Sequence, residues 1–439
     1  MSGKENTKND LAWEKLFDRY NILEQIESKG NFVISANQIK EEREPRLMTK
    51  FDHHINLPKI FLKNKLAILP ITRGDYAIGH FDVYHQFEDE KMDITRVQLP
   101  DYVQSLDVDN ITSEAMALNA AVASGIIAEF LEEEQSKLVS TVSGRMSSGS
   151  FSFHVNHVYK AEPNYCLQVN RSQIEIDAAY EGINFLSLFE AKRDLADDFL
   201  IRQLYYPFRL WKEKVSKEVK TVFLVYSNGI YRIMEYAFED IDNYNSLHLV
   251  KQQRYSIEDT TITMMDIQSV LKNAVSEPEP EPDNIPFPQA DSFERVINLC
   301  ELIKSSNEEL TKNKVTANYA FNERQSDYYT NAARYLGLIE KTYNENREPV
   351  YTLTSKGMSI LTSNFKRRQL EFCKCILQHS VFANALTRYL KTGIMLTKSD
   401  VVQLMQEAKI KGIDEETMRR RSQSVLGWIS WIVALNNET

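Results

Sequence analysis

The chain has 439 residues, of which 43% are hydrophobic and 26% are charged, a composition typical of a globular protein with roughly two to four domains. No run of about 18 apolar residues occurs and the opening residues are polar, so the sequence predicts neither a membrane span nor a secretory signal. The four cysteines form no CxxC pair, which argues against a disulfide framework or a structural zinc site and favours a soluble protein of the reducing cytoplasm.

The charge is distributed unevenly about a net value of −10. Residues 291–439, here called the tail, carry 21 Lys and Arg against 17 Asp and Glu, so the acidic excess lies in residues 1–290. A mildly basic tail behind an acidic front permits a nucleic-acid partner for the tail without requiring one.

Residues 1–110 predict an N-terminal α/β region, for which a DNA contact is left open. Asp10 is expected to cap a first helix that runs to about Ser28, and residues 57–80 have the pattern of short strands broken by a proline and a glycine. The run Asp52-His53-His54 has no partner that the sequence implies, so a structural role is favoured for it.

Residues 111–275 predict a mixed α/β domain. A long helix is predicted over Thr112–Lys137, and a second helical segment, from Asp194 to about Val215, is expected to kink or end near Pro207. Strands are predicted where apolar residues alternate or run continuously, at residues 165–169, 173–181, 184–192 and 221–226. The turn Ser227-Asn228-Gly229 then predicts a hairpin.

Residues 276–290, here called the linker segment, form the clearest boundary. They contain five of the twelve prolines, interleaved with acidic residues. Alternating proline and like charge opposes both helix and sheet, so the pattern predicts a rigid, extended spacer, with a surface loop inside one domain as the alternative.

After the linker segment the hydrophobic period becomes helical. Residues 291–360 predict one helix over Ser292–Ser305, and Asn313–Tyr319 then leads to a second helix over Arg324–Leu336. Two short strands about a polar turn follow, which completes the pattern of a winged helix-turn-helix. Residues 361–439 predict a helical C-terminal module, whose apolar end must be buried in that module or at a subunit interface.

The strongest chemical signal lies where two predicted strands end their apolar pattern, at Asp177 and at Glu190-Ala191-Lys192. Because Ala191 alternates to the buried face, Glu190 and Lys192 point the same way, toward Asp177. Carboxylate and carbonyl oxygens suit Mg²⁺, which acidifies a bound water. Lys192 is expected to orient that water or help deprotonate it, provided that burial lowers its pKa. A solvated strand end with a Glu–Lys pair is the alternative.

This arrangement resembles the PD-(D/E)XK nuclease superfamily. The matching residues are Asp177, then twelve intervening residues, then Glu190-Ala191-Lys192, and Gln203 in the following helix is similar to a glutamine that many members place beside the site. The chain departs from the pattern at Ile176, where a proline often stands, and after Gln203, where no tyrosine follows four residues on. The resemblance implies a restriction-endonuclease-like core, a mixed sheet flanked by helices.

The resemblance also implies roles for these residues. Asp177, Glu190 and the Ala191 carbonyl would bind Mg²⁺, Lys192 would position the attacking water, and Gln203 would support the lysine or a phosphate. Glu114, at the start of a predicted helix, is either a third acid or a residue that suits the helix dipole.

Two further parts of the chain are predicted to contact DNA. Residues 143–151 supply glycine flexibility, Arg145 and Ser147, and either follow a DNA backbone or form an ordinary hairpin loop. Winged helices commonly bind DNA through their second helix, and the predicted contacts of the tail are Arg324, Gln325, Tyr329, Asn331, Arg334, Arg419 and Arg420.

Not every residue of this helix is expected to contact DNA, and the pattern of the tail also has other interpretations. Tyr328, Ala332 and Tyr335 share an apolar stripe and are expected to face the core. A run of charge is often only a solvated face, and winged helices also serve as protein-docking modules.

A nuclease core joined to a winged-helix tail resembles a type II restriction endonuclease. The resemblance implies Mg²⁺-dependent hydrolysis of double-stranded DNA at a specific sequence. The protein is expected to be cytoplasmic, to associate with the nucleoid when it is bound to DNA, and to act as a homodimer, since one site per chain cuts one strand. The alternatives are a repair or junction-resolving nuclease and a non-enzymatic winged-helix DNA-binding regulator. No GxSxG, Walker A or dinucleotide motif supports another chemistry.

Overall fold

The computed structural model describes residues 7–88, 92–159, 163–257, 261–306, 309–318, 321 and 323–436. Within them the chain forms a mixed α/β structure, in which a mixed seven-stranded sheet is flanked by helices and is followed by a helical C-terminal region. The predicted fold class is confirmed to that level. Among the described helices, none combines the length and hydropathy that crossing a bilayer requires.

The N-terminal region builds a small core of its own. Its elements are α1 (Lys8–Tyr20), α2 (Ile22–Lys29), β1 (Asn31–Ser35), α3 (Ala36–Lys40), α4 (Pro45–Thr49), α5 (Lys59–Asn64), β2 (Ala67–Pro70) and β3 (Asp75–Gly79), with a 3-10 turn at His54–Asn56. The three strands form an antiparallel sheet in the order β1-β3-β2. Trp13 is fully buried against the rings of Phe17 and Phe61, and burying one large apolar side chain contributes roughly 1.5–3 kcal/mol.

The first predicted helix is divided in two. Asn21 takes a left-handed conformation, with a φ of 49°, and this ends α1 before α2 begins. The residue that caps α1 is Thr7 rather than Asp10, whose carboxylate accepts the Thr7 N–H and completes a capping box. The cap therefore lies three residues before the predicted one.

The central sheet carries the candidate site. The elements of this part are β4 (Tyr84–Gln86), β5 (Ile94–Val97), α6 (Glu114–Ala123), α7 (Ile126–Leu131), β6 (Val139–Ser147), β7 (Ser150–Asn156), β8 (Pro163–Asn170), β9 (Gln173–Glu181), β10 (Phe185–Lys192), β11 (Asp198–Leu200), α8 (Arg202–Lys214), β12 (Glu218–Ser227), β13 (Ile230–Phe238), β14 (Leu247–Ile257) and α9 (Met264–Ser276), with a 3-10 turn at Gln135–Lys137.

The order of the seven strands is β5-β14-β13-β12-β10-β9-β6. β10 therefore lies between β9, to which it is antiparallel, and β12, to which it is parallel. β5 belongs to this sheet, so the predicted boundary at residue 110 does not separate two structural units. Two-stranded pairs, β4 with β11 and β7 with β8, complete this part.

Two predicted helices differ from those observed. The segment Thr112–Lys137 forms α6 and α7 rather than one helix, because Gly125 takes a φ of 81° between them. The segment predicted to become helical at Asp194 first forms β11, and only then does α8 begin. α8 does not end at Pro207, since buried side chains on both sides of the proline pack in place and outweigh one missing hydrogen bond.

The tail forms a further core. Its elements are α10 (Phe293–Ser305), β15 (Leu310–Thr311), α11 (Lys312–Asn318), α12 (Glu323–Tyr335), β16 (Ile339–Tyr343), β17 (Pro349–Leu353), α13 (Ser355–Leu361), α14 (Phe365–Leu377), α15 (Ser380–Thr392), α16 (Lys398–Glu407) and α17 (Glu415–Ala434). β15, β17 and β16 form an antiparallel sheet in that order. α11 was not predicted as a helix, and Tyr319, the last residue of the segment predicted to lead to the second helix, lies outside the described residues. The apolar end of α17 is buried within the tail itself, with Trp428 against Phe293.

The linker segment is not a free spacer. Beyond its first residue it contains no helix or strand, as its prolines predict. Its glutamates pair with tail lysines, Glu277 with Lys374 at 3.0 Å and Glu279 with Lys356 at 3.1 Å, and Phe287 is buried in the tail core. The prediction of an extended spacer is therefore corrected, because these contacts attach the segment to the tail along its length.

Candidate active site

Strands β9 and β10 bring the two predicted carboxylates together. In their antiparallel register Ala178 lies opposite Phe189, which places Asp177 beside Glu190 at the next position. The Oδ2 atom of Asp177 accepts a hydrogen bond from the backbone N–H of Ala191 at 2.8 Å. This bond holds the Asp177 carboxylate beside the end of β10.

The Glu190 carboxylate is the centre of the cluster. Its Oε1 atom accepts hydrogen bonds from Lys192 Nζ at 2.5 Å and from Gln203 Nε2 at 2.6 Å. Lys192 stands two residues further along the same strand, and Gln203 comes from the first turn of α8. The structure therefore brings together the four residues that were predicted as catalytic, including Asp177.

Burial and neighbouring charge govern the protonation of this cluster. Only 7% of Glu190 is exposed, and burial raises the pKa of its carboxyl to about 7, against the opposing attraction of the Lys192 ammonium. Burial alone would lower the pKa of Lys192, but the carboxylates of Glu190, Asp52 and Asp177 outweigh burial and raise it. Lys192 therefore stays protonated, and the condition that burial lowers its pKa is not met.

The N-terminal region contributes a carboxylate that sequence reasoning did not assign to the site. Burial opposes ionisation of Asp52, but the charges of Lys192 and Lys50 outweigh it and hold the pKa of Asp52 below its ordinary range. Asp52 therefore lies within electrostatic reach of the cluster. The one signal in the sequence was the run Asp52-His53-His54, for which no partner could be inferred from so distant a position in the chain.

His53 ties the N-terminal region to the segment that follows β10. Its Nε2 atom lies 3.0 Å from the Asp194 carboxylate, and its Nδ1 atom lies 2.6 Å from the backbone carbonyl oxygen of Asp198. Burial lowers the pKa of His53, but these two acidic residues outweigh burial and raise it to about 10. The ring is therefore an imidazolium at neutral pH, and it anchors the segment just beyond Lys192.

Glu114 opens α6, near the same cluster. Desolvation by the surrounding protein raises the pKa of the Glu114 carboxyl. The charge of Lys192 opposes that rise, and the charge of Asp177 adds to it. Its place in the first turn of α6 also suits the helix dipole. Both alternatives for Glu114, a third acid and a favourable helix residue, agree with this position.

The donor atoms suit a hard cation without forming a complete cage. Asp177 and Glu190 supply carboxylate oxygens, and the buried Oε1 atom of Gln203 has no hydrogen-bond partner. Across the described ranges, no group of three or more His, Cys, Asp or Glu side chains is arranged to hold a metal ion. Mg²⁺ commonly binds through one or two carboxylates and keeps several waters, so this oxygen-only donor set fits Mg²⁺ better than it fits zinc.

Residues 143–151, predicted either to follow a DNA backbone or to form an ordinary hairpin loop, are mostly strand. They form the end of β6 and the start of β7, and these strands pair with β9 and β8 rather than with each other. Arg145 is exposed and lies 3.2 Å from Glu175 on β9, while Ser147 is the last residue of β6. The segment is therefore not an ordinary hairpin loop, and its contact with a DNA backbone stays a prediction.

The predicted recognition helix is α12. Arg324 is exposed, and its guanidinium lies 5.3 Å from the centre of the Tyr328 ring. The Oδ1 atom of Asn331 accepts a hydrogen bond from Arg334 at 3.0 Å, and both of these residues are half-buried, as is Gln325. Arg324 is therefore the most accessible of the residues that were predicted to contact DNA on this helix.

Tyr329 is a core residue, and its prediction as a DNA contact is wrong. Only 8% of it is exposed, because its ring packs against Phe321 and beneath the guanidinium of Arg295. Tyr328, which was expected to face the core, is half-buried instead. The buried face of α12 thus includes Tyr329, the residue after the predicted Tyr328. Consecutive residues of an α-helix lie about 100° apart around its axis, so the two side chains point in different directions.

Arg419 and Arg420 lie exposed near the start of α17. Arg419 pairs with Glu415 one turn earlier, at 2.9 Å. These two arginines are accessible to a partner, as the DNA-binding prediction requires, although a solvated helix face has the same appearance.

Three family models match the chain in succession. Residues 10–78 match a domain of unknown function (DUF6996), residues 79–256 a second (DUF6997) and residues 295–437 a third (DUF7226). The linker segment falls between the last two matches. No curated protein and no solved structure matches the chain.

Proposed function

We propose that the protein is a Mg²⁺-dependent endonuclease that hydrolyses phosphodiester bonds of double-stranded DNA at a specific sequence, as a type II restriction endonuclease of the PD-(D/E)XK superfamily. The observation that supports this best is the meeting of Asp177, Glu190 and Lys192 at the end of β10. The Gln203 side chain joins them from the next helix, as the resemblance requires.

The residues of this cluster have distinct roles in the proposed reaction. Asp177, Glu190 and the Ala191 carbonyl would hold Mg²⁺, which acidifies a bound water and offsets charge on the phosphate. Lys192 keeps its proton, so it donates a hydrogen bond to the attacking water or to a phosphate oxygen and does not act as the base. Gln203 fixes one oxygen of Glu190 and leaves its own Oε1 atom as an acceptor. The products carry 5′-phosphate and 3′-hydroxyl ends.

The tail is proposed to be the DNA reader. In a winged helix-turn-helix α12 would enter the major groove, where Arg324 suits a guanine edge or a phosphate. Arg419 and Arg420 would add phosphate contacts. Because residues 1–290 carry the acidic excess, the nuclease part would bind DNA weakly until the tail delivers it, which limits random cutting. Cutting both strands would require a homodimer.

A non-enzymatic DNA-binding regulator is the second candidate. One observation favours it, since Glu190 Oε1 already bonds to Lys192 and Gln203, which satisfies this oxygen without a metal. In that case the buried pair stabilises the sheet and takes no part in chemistry.

Digestion of a mixed-sequence plasmid tests the proposal. The full chain should give discrete bands with Mg²⁺ and none with EDTA, and Asp177→Asn should abolish them. Glu181→Gln is the matched control, since Glu181 lies on the same strand and pairs with Lys217 at a distance from the cluster. Cuts that follow branched or nicked DNA would indicate a repair or junction-resolving nuclease. No Mg²⁺-dependent cutting, together with sequence-specific binding, would indicate the regulator.

A further inference from the structure

A buried amide of the tail contacts the segment that directly follows the candidate active site. Asn298 lies on α10, where the residues on either side of it, Ile297 and Leu299, are fully buried apolar side chains. Only 1% of Asn298 is exposed. Buried polar groups must be hydrogen-bonded to avoid a loss of stability, so the partners of this side chain define its role.

Its partners lie directly after Lys192. The Nδ2 atom of Asn298 donates to the backbone carbonyl of Arg193 at 2.6 Å, and its Oδ1 atom accepts from the backbone N–H of Leu195 at 3.1 Å. The amide therefore holds the carbonyl before Asp194 and the N–H after it. A side chain needs both a donor and an acceptor to make this pair of bonds.

The same amide connects two neighbouring strands. Nδ2 also donates to Ser227 Oγ, at 3.1 Å, and Ser227 is the last residue of β12. β12 runs parallel to β10, with Val225 opposite Lys192. Asn298 thus bridges the ends of both strands at the edge where the Glu190 cluster lies.

The bridged segment is held from the other side as well. Asp194, between the two backbone groups that Asn298 contacts, accepts from His53 of the N-terminal region. The backbone direction of the segment after β10 is therefore set from two sides, by the N-terminal region and by the tail.

We infer that Asn298 is a positioning residue of the proposed nuclease. Through it the tail fixes the backbone that follows Lys192, and thereby the orientation of the Glu190 and Lys192 side chains at the end of β10. The inference rests on the proposed function. It gives the tail a second role, because the tail then completes the geometry of the cutting site in addition to reading DNA. Since the contact is made through backbone atoms beside the cluster, its loss changes the rate of the chemical step and leaves DNA affinity unchanged.

A pair of near-isosteric variants tests this in the full chain. Asn298→Leu removes all three hydrogen bonds. Gln369→Met is the matched control, because Gln369 is an equally buried tail amide whose hydrogen bonds, at 2.9 Å, go to Asn228 in the turn after β12 and not to residues 193–195. At saturating Mg²⁺, Asn298→Leu should lower kcat by roughly 10–100-fold, while Gln369→Met stays near the wild-type rate. The dissociation constant for DNA, measured with Ca²⁺ in place of Mg²⁺, should stay within about twofold for both variants, because every residue that is predicted to contact DNA is left in place.

The other outcomes overturn the inference in distinguishable ways. Equal loss of rate in both variants would mean that docking of the tail matters and Asn298 does not position the site. A wild-type rate in folded Asn298→Leu would refute the positioning role and leave the nuclease standing. If thermal melting shows that Asn298→Leu is unfolded, Asn298→Ser, which keeps polarity and loses reach, takes its place with the same expected rate. Manganese binding by the wild-type chain, followed by electron paramagnetic resonance, tests the parent proposal separately, since a chain that neither binds manganese nor cuts DNA defeats both.

Discussion

The contacts of His53 predict that the free energy of unfolding depends on pH. The imidazolium lies between Asp194 and Asp198, and its pKa of about 10 in the folded chain is well above the ordinary value of 6.5. A group whose pKa is raised by folding stabilises the fold fully below its ordinary pKa, and the stabilisation is lost as the pH rises toward the folded value. The stabilisation that His53 contributes is therefore expected to be lost between about pH 6.5 and pH 10.

The size of the effect follows from the shift. The rise from 6.5 to about 10 corresponds to about 5 kcal/mol at low pH, and linkage predicts that about 3 kcal/mol of it is lost between roughly pH 6 and pH 9. The ring is almost fully buried, so solvent screening takes little from this value. Urea unfolding followed by far-UV circular dichroism at both pH values should show the wild type losing about 3 kcal/mol more than His53→Gln.

The neighbouring histidine is the control for this measurement. His54 is exposed and packs edge-on against Tyr84, so His54→Gln should follow the wild-type curve. A difference between wild type and His53→Gln that stays constant from pH 6 to pH 9 would refute the reasoning, since it would mean that His53 carries no proton that folding binds more tightly.

Further predictions concern chemistry, recognition and packing. Lys192→Met should lower kcat for DNA cleavage by roughly 10²–10³-fold with an unchanged circular dichroism spectrum, and a wild-type rate would contradict the role proposed for the ammonium. Tyr329→Ala should lower the free energy of unfolding by about 3–5 kcal/mol in urea, because the ring is in the tail core; an unaffected stability would contradict its burial. Arg324→Ala should reduce the slope of log K for DNA against log salt by about 1 in fluorescence anisotropy, and an unchanged slope would show that the arginine contacts no phosphate. Gly357→Ala would place a Cβ atom 2.1 Å from the Leu338 carbonyl oxygen, so a lowered melting temperature is expected and an unchanged one would contradict the packing of α13 there.

Local patterns predicted the centre of the candidate site because its geometry is a property of adjacent strands. Alternation along one strand is enough to put Glu190 and Lys192 on one side, and the observed hydrogen bond between them agrees. Asp177 follows from the end of the apolar pattern on the neighbouring strand, whereas Gln203 was predicted from the resemblance to the PD-(D/E)XK superfamily. The acid–base behaviour did not follow, since the pKa of Lys192 is raised first by Glu190 and then by Asp52, a residue of the N-terminal region that the sequence did not assign to the site.

The errors have two physical sources. One is precision: α12 was predicted correctly, but one residue decides whether Tyr328 or Tyr329 is buried, and a hydrophobic pattern with tyrosines at both positions does not distinguish them. The other is tertiary contact: nothing local indicates that Asn298 meets the segment after β10, or that the linker segment packs on the tail through Phe287.

The segment after β10 is held by His53, which precedes it in the chain, and by Asn298, which follows it, so these two contacts become available at different stages of synthesis. The ribosome releases the N-terminal region and the central sheet before it has made α10, so a nascent chain at that stage contains His53 and lacks Asn298. The arrangement of strand ends described above is then completed only after translation has passed the linker segment. In a DNA-cutting enzyme, such a delay would protect the host chromosome from unfinished chains that have no reader to direct them.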